Sequence, residues 1–299
     1  MNNKITKARI KDFLLYALLK TVAITVLICV FLIIVFDIVS VKPSNGQNFI
    51  VLVGNDVICG EESDEVLYKT TTNDVQNFGF SYDVLEISSS TLISEAPHQE
   101  MVTKREIHED DIFIATSYLA GEYISTLSAI SFDDYLKKAN AYINKFLDEN
   151  GNVDENIVKS NFYKTRGKDN RFRNSKNKNL GIKEEIKRIK GLLKNIRTLE
   201  RVFSENKQIF ASEFLDVDID KGQNTYGYAI DLSKLTGKEG KNIKNAFMVM
   251  QTSQDSEEVV YTAEGVYLMV GSNSDSDGDL FFEPMAYILN LIDTYTNFI

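Results

Sequence analysis

One acidic loop has the residue types and spacing of a calcium-binding loop. Asn273–Asp279 reads Asn-Ser-Asp-Ser-Asp-Gly-Asp, which places oxygen ligands at alternate positions before and after a glycine. A calcium loop closes with a glutamate at its twelfth position, but that position, counted from Asn273, is Pro284, and Glu283 comes one residue early. Carboxylates also stabilise the first turn of a helix that follows them. We therefore expect a strand-to-helix turn that binds no metal ion.

Residues for nucleophilic or acid–base catalysis are sparse. The chain has two histidines, His98 and His108, and two cysteines, Cys29 and Cys59. It contains neither a glycine-rich phosphate loop nor a nucleophile elbow, and nothing in the sequence brings Cys59 close to a histidine. We predict that the protein is not an enzyme and needs no cofactor.

The longest apolar run extends over 24 residues, from Phe13 to Phe36, and contains one charge, Lys20. A helix rises about 1.5 Å per residue, so this run is long enough to cross the roughly 30 Å hydrocarbon layer. Basic residues precede it, and such flanks stay in the cytoplasm. A cleaved signal peptide fits less well because no small-x-small site follows the run. We predict a single-pass cell-membrane protein with a cytoplasmic N-terminus and transmembrane helix in residues 1–42 and an extracytoplasmic domain in residues 43–299.

The net charge of −10 is distributed in blocks. Residues 159–207 contain sixteen basic and five acidic residues, whereas residues 43–158 and 208–299 carry −15 and −10. The basic block can pack on the acidic flanks, contact anionic lipid or wall polymer, or form a solvated helical face. We predict no nucleic-acid partner, because few aromatic residues are interleaved with the basic ones.

Short apolar runs alternate with helical patterns in the first half of the large domain. Phe49–Gly54 and Asp111–Thr116 have the length and composition of buried strands, and Phe80–Ile87 alternates as a strand that Ser88–Ser90 should end. Residues 62–77 favour a helix in part. Strands and helices in this alternation predict βαβ units and a mainly parallel sheet.

The middle of the chain, over about residues 130–207, is predicted to be a helical, basic insertion. Ser131–Asp134 is a capping box that starts a helix, and residues 164–181 read as a polar loop. The next helix has apolar residues at spacings of three and four, which predicts a stripe that faces the core. The stripe consists of Ile182, Ile186, Ile189, Leu193, Ile196 and Leu199.

Three patches resemble the extracellular solute-binding proteins of bacterial ABC importers. The first is Asp110–Ala115, which in that family precedes a loop of the ligand cleft. The second is Tyr226–Ser233, and the third is Tyr267–Ser274, which leads into a terminal helix. The resemblance implies a periplasmic-binding-protein-like α/β fold, with a mainly parallel sheet lobe and a reduced helical second lobe after the transmembrane helix.

The predicted ligand site lies beyond the C-terminal ends of the parallel strands, where open α/β sheets present their binding loops. This rule places five residues there, namely Asn55, Thr116, Ser117, Tyr118 and Tyr226. We expect a membrane-tethered protein that binds a small molecule through hydrogen bonds and tyrosine faces, and that associates with an ABC permease. The alternative is a cell-envelope scaffold or accessory subunit that holds a membrane partner through the basic helical region and binds no ligand.

Overall fold

The chain divides into two compact units, Met1–Pro43 and Ser44–Ile299. The structure is a computed structural model that describes parts of both units. The described residues are 6–8, 11, 20–32, 48–67, 84, 86–93, 96–107, 109–126, 128–165, 175–211, 227–252, 259–272 and 282–299.

The predicted N-terminal transmembrane helix is wrong for the described part of the chain. In the first unit, residues 20–32 are helical and exposed. None of the helices in the described ranges combines the length and the apolar character that crossing a membrane requires. The remainder of the predicted run, residues 13–19 and 33–36, lies outside the described residues.

The second unit mixes strands and helices along its whole length. Its strands are β1 (Asn48–Val53), β2 (Ile58–Cys59), β3 (Glu86–Thr91), β4 (Ile112–Thr116), β5 (Ala129–Ile130), β6 (Ala229–Asp231), β7 (Phe247–Thr252), β8 (Val259–Thr262) and β9 (Val266–Gly271). Its α-helices are α1 (Ser63–Leu67), α2 (Pro97–Glu106), α3 (Ser117–Ser125), α4 (Phe132–Ile143), α5 (Glu155–Thr165), α6 (Ser175–Glu205) and α7 (Glu283–Tyr295). Short 3-10 turns lie at Asn144–Phe146, Lys207–Ile209, Leu232–Lys234 and Ile243–Asn245.

The main sheet is mixed, so the prediction of a mainly parallel sheet is wrong. Its order is β3-β1-β4-β9-β5, and β6 also pairs with β9. The pairs β1–β3 and β1–β4 are parallel, as the βαβ pattern predicts. The pairs that β9 forms with β4, β5 and β6 are all antiparallel. A tight turn at Gly265, whose φ is +80°, leads from β8 into β9, and β2, β7 and β8 form a separate antiparallel sheet.

Apolar side chains fill both faces of the main sheet because successive residues of a strand point to opposite sides. On β4, Ile112 and Ile114 belong to one buried cluster, and Phe113 and Ala115 belong to another. The first cluster also contains residues of α4, α6 and α7, and the second contains residues of α2 and α3. The sheet is therefore the middle layer of an α/β/α arrangement, buried on both faces.

The basic helical region does not form a second lobe, which corrects that part of the expected fold. On α4, Tyr135 and Ala139 are buried in the same cluster as the strand residues Phe49 and Val51. The apolar stripe of α6 joins this cluster as well, with Ile189 fully buried. The amphipathic pattern of α6 thus directs its apolar face onto the sheet, as the spacing predicts, and leaves its basic face outside.

The three serines that were expected to end a strand lie inside β3. Ser88, Ser89 and Ser90 pair in parallel with Ile50, Val51 and Leu52. The strand lies at the edge of the sheet, where its backbone is satisfied by the ladder with β1 and small polar side chains are tolerated. Ser88 Oγ also donates a 3.1 Å hydrogen bond to Oδ1 of Asn48. Sheet pairing therefore overrides the low strand propensity of serine.

Two aspartates brace the amino end of β4. Asp110 is 1% exposed, and its Oδ2 accepts a 2.7 Å hydrogen bond from the hydroxyl of Tyr123 on α3. Oδ2 of Asp111 accepts a 2.8 Å bond from the backbone N–H of Ile50. Both carboxylates fix elements to each other at the end of β4 opposite the predicted ligand site, and their observed role is structural.

We expect Ile189→Asp to destabilise the protein by about 3–5 kcal/mol, because the substitution leaves an unpaired charge in the core. Lys187→Asp is the matched control, since Lys187 is exposed on the same helix, and we expect it to change stability by about 1 kcal/mol or less. Urea denaturation of both variants measures the difference. Equal stability of the two variants would contradict the burial of the α6 stripe.

Buried tyrosines predict a loss of stability at alkaline pH. Burial raises the pKa of Tyr123, Tyr135 and Tyr287, and Asp110 raises that of Tyr123 further. The unfolded chain releases these protons near pH 10, before the folded chain does, so their contribution is complete below about pH 10 and is lost as the pH rises beyond it. Urea midpoints between pH 8 and pH 11 should fall, and Tyr287→Phe should make the decline shallower. If the urea midpoint of Tyr287→Phe fell with pH as steeply as that of wild type, titration of the buried Tyr287 would not be a cause of the decline.

Candidate functional site

The C-terminal ends of β1 and β4 meet at one edge of the main sheet, which is where the ligand site is predicted. Val53 pairs with Ile114 in the parallel ladder. The N–H of Gly54 then donates a 2.8 Å hydrogen bond to the carbonyl oxygen of Ile114. The loop after β1, which begins at Asn55, therefore lies beside the end of β4 at Thr116.

A side-chain hydrogen bond joins these two strand ends. Oγ1 of Thr116 donates to Oδ2 of Asp56. The close approach depends on Gly54, because a Cβ at this position would lie 2.7 Å from Oδ1 of Asp56 and 3.2 Å from Leu119. Asn55 is exposed beside this pair. The structure thus brings Asn55 and Thr116 together, as predicted, and adds Asp56 between them.

Helix α3 carries the next two predicted site residues. Thr116 has an extended backbone and directly precedes the helix, so Ser117 and Tyr118 occupy its first turn. Ser117 is half-buried, whereas the side chain of Tyr118 is 67% exposed. The Tyr118 hydroxyl donates a 2.9 Å hydrogen bond to Oε1 of Glu122, one turn further along the helix. This bond and the nearby negative charge raise the pKa of Tyr118.

The other carboxylate oxygen of Glu122 points to a second helix. Oε2 lies 3.7 Å from Nδ1 of His98 on α2. This oxygen is enclosed and accepts no hydrogen bond from any described residue. His98, Glu122 and Tyr118 therefore form a chain of polar groups along the surface between α2 and α3.

Three residues of this site were missed in the sequence. Asp56 directly follows Asn55, and only the spatial pairing of β1 with β4 reveals its contact with Thr116. Glu122 was detectable, because a spacing of four places it on the same helix face as Tyr118. His98 had no local signal, since its approach to Glu122 depends on how α2 packs on α3.

Other predicted features fall outside this site or outside the described chain. Tyr226, His108 and the Asn273–Asp279 loop all lie in segments that the structure does not describe. Within the described segments, no three His, Cys, Asp or Glu side chains form a group that could hold a metal ion. The site consists of hydrogen-bonding groups with an acidic bias, which is suited to binding a ligand that donates hydrogen bonds.

We expect Glu122→Gln to lower the pKa of Tyr118 towards its ordinary value, because the substitution removes a charge that disfavours the phenolate. Ultraviolet or NMR titration of the tyrosines measures this change. His98→Ala is the control, since His98 faces Oε2 of Glu122 and the Tyr118 hydroxyl is bonded to Oε1. A Tyr118 titration that is the same in wild type and Glu122→Gln would exclude the hydrogen bond in solution.

Comparison with known proteins identifies no relative of this chain. Neither a protein-family model, nor a curated protein, nor a solved structure matches this chain. The resemblance to solute-binding proteins therefore stays a prediction that rests on its three sequence patches. The function has to be argued from the arrangement of the site.

Proposed function

We propose that the second unit is a non-enzymatic binding domain for a small polar ligand. The site lies at the carboxyl edge of β1 and β4 and is formed by Asn55, Asp56, Thr116, Ser117 and Tyr118. The observation that carries the proposal is the hydrogen bond from Thr116 to Asp56, which ties the two strand ends together. Groups held at a fixed spacing lose little conformational freedom on binding, so less of the interaction energy is spent on ordering them.

The chemistry of the site favours a ligand that is rich in hydrogen-bond donors. Asp56 and Glu122 are carboxylates, and Asp56 is exposed at the strand ends. Hydroxyl and ammonium groups supply such donors, which points to sugars or small amino compounds. The exposed ring of Tyr118 offers a flat face that can pack against an apolar part of the ligand. Association with an ABC permease and an extracytoplasmic location stay predictions.

The alternative role, an accessory or scaffold protein without a ligand, is favoured by the outer face of α6. Lys183, Lys187 and Lys194 are exposed there. None of the three forms a salt bridge with a residue in the described segments. Such a row can hold an acidic partner. A scaffold of this kind predicts that substitutions at Asp56 and Tyr118 have no effect on any binding.

A screen of the full chain against hexoses, amino acids and polyamines tests the proposal. We expect one of these classes to raise the melting temperature saturably, because a ligand that binds only the folded state stabilises it. Asp56→Asn and Tyr118→Phe should each weaken that ligand by about two- to tenfold, the range expected for losing one hydrogen bond. Asp133→Asn is the control, because Asp133 is exposed on α4 and is not part of the site.

Calorimetry on the best compound of the screen provides the affinities. Unchanged affinity in Asp56→Asn and Tyr118→Phe, or the absence of a saturable response in all three classes, would count against a strand-edge site. The second result would favour the scaffold role.

A further inference from the structure

A concave pocket of about 360 Å³ lies on the helical side of the second unit, away from the residues of the strand-edge site. It is formed by α5 and the 3-10 turn Asn144–Phe146. A pocket of this volume is at the lower end of the range of small-molecule sites. Its lining consists of Lys145, Phe146, Asn156, Ile157, Ser160, Asn161 and Lys164.

The walls of the pocket are held in place by the loop that connects the turn to α5. Asp148 accepts hydrogen bonds from the N–H groups of Asn150 and Asn152, and Asp154 caps the start of α5 through the N–H of Asn156. Arg197 of α6 donates a 2.8 Å bond to the carbonyl of Gly151. A loop with these contacts is ordered before a ligand arrives, which reduces the cost of binding.

The charges of the pocket have one sign. Lys145 and Lys164 are exposed at its rim, and neither forms a salt bridge with a described residue. Lys145 lies 5.7 Å from the ring centroid of Tyr142, a contact that leaves its positive charge in place. The part of the lining that the structure describes contains no carboxylate. The neighbouring Glu155 is engaged at 2.5 Å by Lys190.

The rest of the lining combines hydrogen-bonding and apolar groups. Asn156 and Ser160 lie one turn apart on α5, and so do Ile157 and Asn161, because a spacing of four brings side chains to the same side of a helix. Ile157 is 39% exposed and supplies most of the apolar surface next to these polar groups, whereas Phe146 is 3% exposed and reaches the pocket only with its edge.

We propose that this pocket binds a phosphate monoester of a small apolar group. The two lysines neutralise the phosphate, the amides and hydroxyl of α5 donate hydrogen bonds to its oxygens, and the apolar group packs mainly on Ile157. Two ammonium groups that have no acidic partner among the described residues match the double negative charge of a phosphate monoester. The site is independent of the strand-edge site, since the two share no residue.

Titration of the full chain with phenyl phosphate, followed by NMR or calorimetry, tests the proposal. We expect saturable binding that is tighter than binding of inorganic phosphate or of phenol, because each of these lacks half of the recognised chemistry. Lys145→Gln and Lys164→Gln should each weaken phenyl phosphate by about two- to fivefold, as expected for an exposed charge pair, and the double variant by about tenfold or more.

Lys159→Gln is the matched control, because Lys159 is an exposed lysine of α5 that does not line the pocket. It should leave the affinity for phenyl phosphate within about twofold. Equal weakening by Lys159→Gln and by the pocket variants would overturn the proposal, since it would indicate non-specific attraction to the basic helix. The proposal would also be overturned if the double variant bound phenyl phosphate with unchanged affinity, or if inorganic phosphate bound as tightly as phenyl phosphate. Asp56→Asn should not affect phenyl phosphate, which separates this test from that of the strand-edge site.

Discussion

The insertion of β9 beside β4 is the constraint on which the rest of the second unit depends. This late strand pairs with β4, β5 and β6, so it joins segments that are more than a hundred residues apart in the chain. At its end, Gly271 lies so close to the carbonyl of Asp110 that any Cβ would collide with it. A sheet that is complete only when such a distant strand docks has to overcome a large loop-closure entropy before its pairing is stabilised.

The completed sheet in turn constrains the helices that pack on it. Because both faces are buried, every helix that covers it has to supply an apolar side. Helix α6 meets this requirement with its isoleucine and leucine stripe, and its basic residues other than Arg188 lie away from the sheet. The one buried cation of this helix, Arg188, is paired with Glu185 at 2.8 Å and bonded to the Tyr142 hydroxyl. Burial of an unpaired charge would be far more costly than this local pair.

The sequence identifies the elements of this fold better than their directions. The apolar runs predict β1 and β4 to within one residue, and the α6 stripe is visible from its spacing. The residues of β9 do not indicate that it runs antiparallel, because a strand buried on both faces has the same apolar pattern in either direction. The candidate site likewise has a part that the sequence predicts and a part that only the packing determines. The ends of β1 and β4 are predicted to meet, whereas the Thr116–Asp56 bond and the approach of His98 to Glu122 arise only from packing.

The local charges give the two proposed sites opposite preferences. The strand-edge site belongs to an acidic part of the chain and contains Asp56 and Glu122, so it attracts donors and repels anions. The α5 pocket lies where the acidic block of residues 43–158 meets the basic block of residues 159–207, and its described lining contains Lys145 and Lys164 without a carboxylate. At physiological ionic strength charges act over about 8 Å, so each site responds mainly to its own neighbours. A ligand that carries both an ammonium group and a phosphate would therefore bind the strand-edge site through its ammonium group and the α5 pocket through its phosphate.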